Sequence, residues 1–145
     1  TFLMSTNLGE PPKPISKIAS GGELSRIMLA IKNTLAGHDH IMTSIFDEID
    51  TGVSGRAAQK IGLKLKQAAK GRQVICVTHS AQIAALADHH CLIEKSTKNG
   101  RTFTQVRPLD FEGRKQEVAR IMGTDKITDL MLENAEQMIR MGMER

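Results

Sequence analysis

Residues 41–80 read IMTSIFDEIDTGVSGRAAQKIGLKLKQAAKGRQVICVTHS, and their pattern decides the fold. IMTSIF (41–46) is a compact, mostly apolar run that stops at Asp47-Glu48-Ile49-Asp50. A helical stretch follows from about Ser54 to Lys70, with Ala57, Ile61, Leu65 and Ala68 on one face, and Gly71 closes it. QVICVT (73–78) is a second apolar, β-branched run that ends at His79-Ser80. Continuous apolar strands joined by a helix predict a parallel pair, buried on both faces and linked by a right-handed crossover. In such sheets ligands bind beyond the carboxyl ends of the strands. Asp47, Glu48 and Asp50 after one strand, and His79 and Ser80 after the next, therefore form a candidate site.

The flanking sequence extends this α/β pattern. TFLMST (1–6) reads as a short strand, and NLGEPPKPISK (7–17) as a loop, because three prolines and a glycine cannot continue helix or central strand. Residues 23–36 carry Leu24, Ile27, Met28, Ile31 and Leu35 as a helical stripe that Gly37 ends. AQIAALA (81–87) is a short helix. HCLIEKS (90–96) and RTFTQVRPL (101–109) flank Lys98-Asn99-Gly100, a strong hairpin signal. Two helices finish the chain, at about 111–122 and 126–142, separated by Gly123-Thr124-Asp125. Met131, Met138, Leu130, Ile127 and Ile139 form a stripe on the last helix that suits core or interface.

The 145 residues fit a single domain, 1–145, large enough for a real core. The formal net charge of +4 permits a polyanionic partner without demanding one. With four Phe and neither Trp nor Tyr, an aromatic platform for single strands is disfavoured. No apolar run approaches transmembrane length and no signal-peptide pattern is present, which predicts a cytoplasmic protein without membrane contact. Cys76 and Cys91 lie in strand-like runs, where reduced, buried thiols are expected.

Ser20 and Glu23 have the spacing of a capping box, which explains them but not Gly21-Gly22 between them. Bare glycines at a helix N-terminus would let a phosphate approach the exposed N–H groups and the positive end of the dipole. Of the two carboxylates after the first strand, one can hold hydrated Mg²⁺ and the other can orient and deprotonate a water. An acidic strand end facing solvent is the plainer alternative. His79 could contact a phosphate or serve only as a turn residue. His38, His40, His89, His90 and Cys91 match no structural zinc spacing, and no G-x-S-x-G elbow is present. Between Thr51 and Ala87 the chain has no acidic residue, and Arg56, Lys60 and Lys64 share one helix face. A DNA backbone could lie on that stripe, or it could be a solvated face.

Order and spacing make these signals specific. Ala19-Ser20-Gly21-Gly22-Glu23 resembles the signature motif of ABC-type ATPases, and Ile45-Phe46-Asp47-Glu48 resembles their Walker B strand. Asp50 falls in the D-loop position and His79 in that of the switch histidine. The longer strings, SxxxGEPPxPISKIASGGELSRIMLAIK and IFDEIDTGVSGRAAQKIG, resemble the RecN family of SMC-like bacterial DNA repair ATPases. Ala19 stands where the wider superfamily usually has Leu, and Glu23 where transporters usually have Gln. No G-x-x-x-x-G-K-[ST] is present.

The resemblance implies the parallel-sheet core of a P-loop NTPase: the C-terminal lobe of an ABC-type head, carrying a β-hairpin and C-terminal helices. The P-loop would lie in an N-terminal lobe beyond a long coiled coil, so this chain, starting at Thr1, is expected to follow the coil. A head–head homodimer would sandwich ATP, with Ser20, Gly21, Gly22 and Glu23 closing on nucleotide held by the partner. Asp47 would hold Mg²⁺ through water, Glu48 would be the general base, Asp50 would contact across the interface, and His79 would sense the γ-phosphate. The chain alone is then expected to be inactive. The full protein would act in DNA double-strand break repair and recombination, at the nucleoid. The alternatives are a non-catalytic DNA-binding module using the 56–72 stripe, and a metal-dependent hydrolase built on Asp47, Glu48 and His79.

Overall fold

A computed structural model describes residues 2–5, 8–35, 38, 40–98, 100–123 and 126–144. The expectations at Thr1, Thr6, Gly37, Asn99, Thr124 and Asp125 lie outside the described residues. The chain runs through β1 (Leu3–Met4), β2 (Lys13–Pro14), α1 (Ile15–Ile18), α2 (Gly21–Thr34), β3 (Thr43–Phe46) and α3 (Gly55–Ala68). It continues through β4 (Gln73–Cys76), α4 (Ala81–Ala84), β5 (Cys91–Lys98), β6 (Arg101–Pro108), α5 (Phe111–Met122) and α6 (Asp129–Met143).

The architecture is α/β, with three two-stranded sheets among the described residues. β3 and β4 pair in parallel, in register from Thr43 opposite Gln73 to Phe46 opposite Cys76. β1–β2 and β5–β6 are antiparallel. One core cluster joins the parallel pair to α2, α3 and α4 through Leu29, Phe46, Ile49, Ala58, Leu65 and Ile83. A second unites α4, α5 and α6 around Val118, Ala119, Ala135 and Ile139, all 0% exposed. Met131 and Met138 pack against this second cluster, whereas Ile127 and Leu130 of the same stripe are exposed. Gly62 of α3 packs on α4, where a Cβ would lie 3.5 Å from both the Gln82 carbonyl oxygen and Ile83 Cα, and 2.6 Å from the tip of the Leu86 side chain just beyond that helix.

Three expectations are corrected. The parallel pair is covered on one face only, and Ile45, Ile75 and Val77 on the other remain 69%, 44% and 45% exposed. Apolar residues at consecutive strand positions make both faces suitable for burial, but this chain supplies helices to only one. The stripe of α2 is likewise turned away: Leu24, Met28 and Leu35 are exposed, while Gly22 and Leu29 are buried. Docking is governed here by Gly22 and Arg26, which admit the 47–51 turn at close range, rather than by the more numerous apolar side chains. Cys91 is exposed, because β5 belongs to a ribbon whose two faces both lie largely open.

Candidate functional site

The β3–α3 turn, the end of β4 and the N-terminus of α2 meet at residues 47–51. Ser20 caps α2 with the reciprocal bonds its spacing predicts. The Glu23 N–H donates to Ser20 Oγ at 3.4 Å, and the Ser20 N–H donates to Glu23 Oε2 at 2.8 Å. The Ser20 backbone N–H, then its hydroxyl, hold the Glu23 carboxyl below the usual carboxylate range. Gly21 and Gly22 form the first turn itself.

Both glycines abut the acidic turn of their own chain. A Cβ on Gly21 would lie 2.6 Å from Glu48 Oε2. One on Gly22 would lie 2.7 Å from the Glu48 carbonyl oxygen and 3.1 Å from both Thr51 Cβ and Arg26 Nη1. The pair thus leaves room for Glu48, a tenant that the sequence reading did not consider. Ser25 and Arg26 fasten the same contact. The Ser25 hydroxyl donates to the Asp47 carbonyl at 2.8 Å, and Arg26 Nη1 donates to the carbonyls of Ile49 at 3.1 Å and Thr51 at 2.9 Å.

Glu48 is the one non-glycine with positive φ among the described residues, at +56°. Its left-handed backbone costs on the order of 1–2 kcal/mol. The conformation is held by its own N–H, which donates to Asp47 Oδ1 at 2.8 Å, and by the Thr51 N–H, which donates to its carbonyl at 3.0 Å. Asp47 and Glu48 are exposed, so both carboxylates are open to a ligand.

Asp50 differs: it is 2% exposed and ties the two strand ends together. Its Oδ2 accepts from the Thr78 hydroxyl at 2.6 Å and the His79 N–H at 2.9 Å, with His79 Nδ1 at 3.3 Å. Burial works to raise its pKa, but the Thr78 and His79 hydrogen bonds outweigh it and hold the carboxyl low. The carboxylate expected to reach across an interface is therefore enclosed by its own chain. The His79 side chain is 83% exposed beside it. Behind the turn, burial and the charges of Asp50 and Asp47 push the Cys76 thiol up to about 12.

Ser20, Gly21, Gly22 and Glu48 are thus brought side by side, with Asp47, Asp50 and His79 around the same two strand ends. Arg56, Lys60 and Lys64 are exposed on α3, where Lys60 and Lys64 line a groove against Asn33 and Thr34 of α2. Sequence reasoning missed Ser25, Arg26 and Thr78, whose partners lie 22 to 28 positions away. Among the described residues no three His, Cys, Asp or Glu side chains cluster to hold a metal, and no helix is long and apolar enough to cross a membrane.

No family model matches the chain. It is 48% identical over 139 residues to the DNA repair protein RecN of Bacillus subtilis, covering 96% of this chain and 24% of that protein. RecN of Vibrio cholerae is 45% identical over 139 residues, and RecN of Treponema pallidum 44% over 141, each with 25% of the relative covered. A solved chain from work on ATP-driven dimerization and DNA-stimulated activation of SMC ATPases superposes with a TM-score of 0.53. That likeness, at 24% identity over 81% of this chain and 70% of the other, supports an SMC-type head fold. The chain belongs with the RecN-type DNA repair proteins and corresponds to a C-terminal segment about a quarter of their length.

Proposed function

We propose that this chain is the C-terminal lobe of an ATPase head, supplying half of a composite ATP site that works when two heads meet on DNA. The observation that carries this reading is the convergence at residues 47–51. Two exposed carboxylates at the end of a strand covered on one face sit against a capped, glycine-opened helix N-terminus, and buried Asp50, bonded to Thr78 and His79, fixes the neighbouring strand. Glu48 is the general base that takes a proton from the attacking water. Ser20, Gly21 and Gly22 offer N–H groups and a positive dipole end to the γ-phosphate of ATP bound by a partner head. Glu23 holds Ser20 in place, and His79, exposed at the end of β4, senses a γ-phosphate. Asp47, with one oxygen engaged by the Glu48 N–H and its carboxylate exposed, is the residue to hold Mg²⁺, which when bound offsets phosphate charge.

The P-loop comes from the N-terminal lobe of the same polypeptide, which also covers Ile45, Ile75 and Val77. Because Asp50 is enclosed, the turn it stabilises, rather than its carboxylate, is what a partner head meets. Work at the bacterial nucleoid suits this role, with Arg56, Lys60 and Lys64 available to DNA phosphates. The test uses a full-length protein containing this segment. Glu48→Gln should lower kcat at least a hundredfold while ATP-bound dimers accumulate on size-exclusion chromatography. Turnover within a few-fold of wild type would overturn the assignment, as would robust ATPase activity from residues 1–145 alone.

A further inference from the structure

The β5–β6 ribbon is the element the ATPase reading leaves without a task. Its two eight-residue strands pair from Cys91 opposite Pro108 to Lys98 opposite Arg101, and every residue of β6 is exposed. The apolar side chains Ile93, Phe103 and Val106 are 53%, 49% and 64% exposed, so neither face is packed against the body as a core sheet would be. A lone two-stranded ribbon is marginally stable in water, which makes a structural purpose for such a long one hard to sustain.

Toward the turn its charge is of one sign. From residue 95 to 109 the chain holds Lys95, Lys98, Arg101 and Arg107 and no carboxylate. Arg107 is already matched by Glu94, at 3.4 Å. Among the described residues no ion pair engages Lys95, Lys98 or Arg101, which cluster toward the turn. The register puts Lys98 and Arg101 directly opposite each other on one face and Lys95 opposite Thr104 on the other. Ser96, Thr97, Thr102 and Thr104 supply hydroxyls between the cations. Cations and hydroxyls are the groups that contact phosphate and sugar oxygens, and a two-stranded ribbon fits the width of the major groove. With Phe103 as its single aromatic residue, the ribbon lacks the stacked rings that hold unpaired bases.

We infer that the tip of the β5–β6 ribbon is a duplex DNA contact, in which Lys95, Lys98 and Arg101 bind backbone phosphates. The inference takes from the ATPase reading only that the full-length protein works on DNA. It is distinct from the α3 stripe, because it needs none of Arg56, Lys60 or Lys64.

The experiment measures binding of the full-length protein to a fluorescent 30-base-pair duplex by anisotropy across a salt series. In Lys95→Gln/Lys98→Gln/Arg101→Gln, affinity should fall at least tenfold near 0.1 M salt. The slope of log K against log salt should shrink by about 2–3, since each lost phosphate contact removes about 0.9. Arg107→Gln, whose cation Glu94 already holds, should change affinity less than twofold. DNA-free ATPase activity and the melting temperature of the triple variant should match wild type. Affinity within twofold and an unaltered slope would overturn the inference, as would a loss seen only with single-stranded DNA or an equal loss in Arg107→Gln. Because anisotropy needs no turnover, the result stands apart from the fate of Glu48→Gln.

Discussion

Gly21 and Gly22 are adjacent in the first turn of α2, yet alanine should act oppositely at the two positions. At Gly22 the new Cβ would come within 2.7 Å of the Glu48 carbonyl and 3.1 Å of Thr51 Cβ. Neither neighbour can swing aside. The carbonyl accepts the Thr51 N–H, and the turn is tied to α2 by Arg26 and Ser25. Relief requires α2 to lift from the turn, a strain of about 1–3 kcal/mol for an overpacked methyl. Against it stands a gain of about 0.5–1 kcal/mol from replacing glycine in a helix. Gly22→Ala should therefore destabilise by about 1–2 kcal/mol, lowering the melting temperature of the head by several degrees. At Gly21 the close atom is Glu48 Oε2, the far end of a flexible side chain, 2.6 Å away. A rotamer change relieves it, so the melting temperature of Gly21→Ala should stay level or rise. Its ATPase rate should fall, because the displaced carboxylate is the proposed base. Differential scanning calorimetry of full-length variants beside steady-state hydrolysis checks both. Equal melting temperatures for the two variants would refute the contact geometry from which these signs are drawn.

Two further outcomes follow from the turn. The Asp50 pKa is held below its ordinary value of 3.8, so its contribution to stability is present above that pH and is lost as pH falls through the lower folded value. Asp50→Ala should leave the Thr78 hydroxyl and His79 N–H short of an acceptor at a cost of about 1–3 kcal/mol, flattening stability against pH below 4 in acid titration. With its thiol pushed up to about 12, Cys76 should resist alkylation at pH 8 until the protein unfolds, while exposed Cys91 reacts first. Peptide mapping after a timed iodoacetamide pulse distinguishes the two thiols, and faster labelling of Cys76 would contradict its burial.

What could be read in the sequence, and what could not, divides along a physical line. The parallel pair, the hairpin and the carboxylates at a strand end were legible because each is encoded in residues close together in the chain. The pairing of β5 with β6 and the Ser20–Glu23 box answer to such local codes, and α5 starts after its Asp110 cap at the predicted place. Ser25 and Arg26 were illegible because their targets are backbone carbonyls, which every residue type possesses. The docked face of α2 was misjudged for a related reason. Periodicity counts apolar side chains, whereas close approach here depends on the absence of one at Gly22. The exposure of Cys91 needed knowledge of which faces of β5 lie covered, a property of the tertiary arrangement alone.

The open face of the parallel pair gives the misread stripe a second meaning. Ile45, Ile75 and Val77 line one side of β3–β4, and Leu24, Met28 and Leu35 line an exposed side of α2. Covering a fully exposed aliphatic side chain yields about 1.5–3 kcal/mol. Even half of that over these six residues is on the order of 5 kcal/mol, comparable to the whole stability of a small domain. On the proposed reading that gain comes from the N-terminal lobe, so the polypeptide that brings the P-loop also completes the support beneath residues 47–51. A left-handed Glu48, held by hydrogen bonds at the end of a strand with one bare face, is costly to maintain until that support arrives. On that reading, assembly of the two lobes would stabilise the fold and position the proposed base by the same contacts.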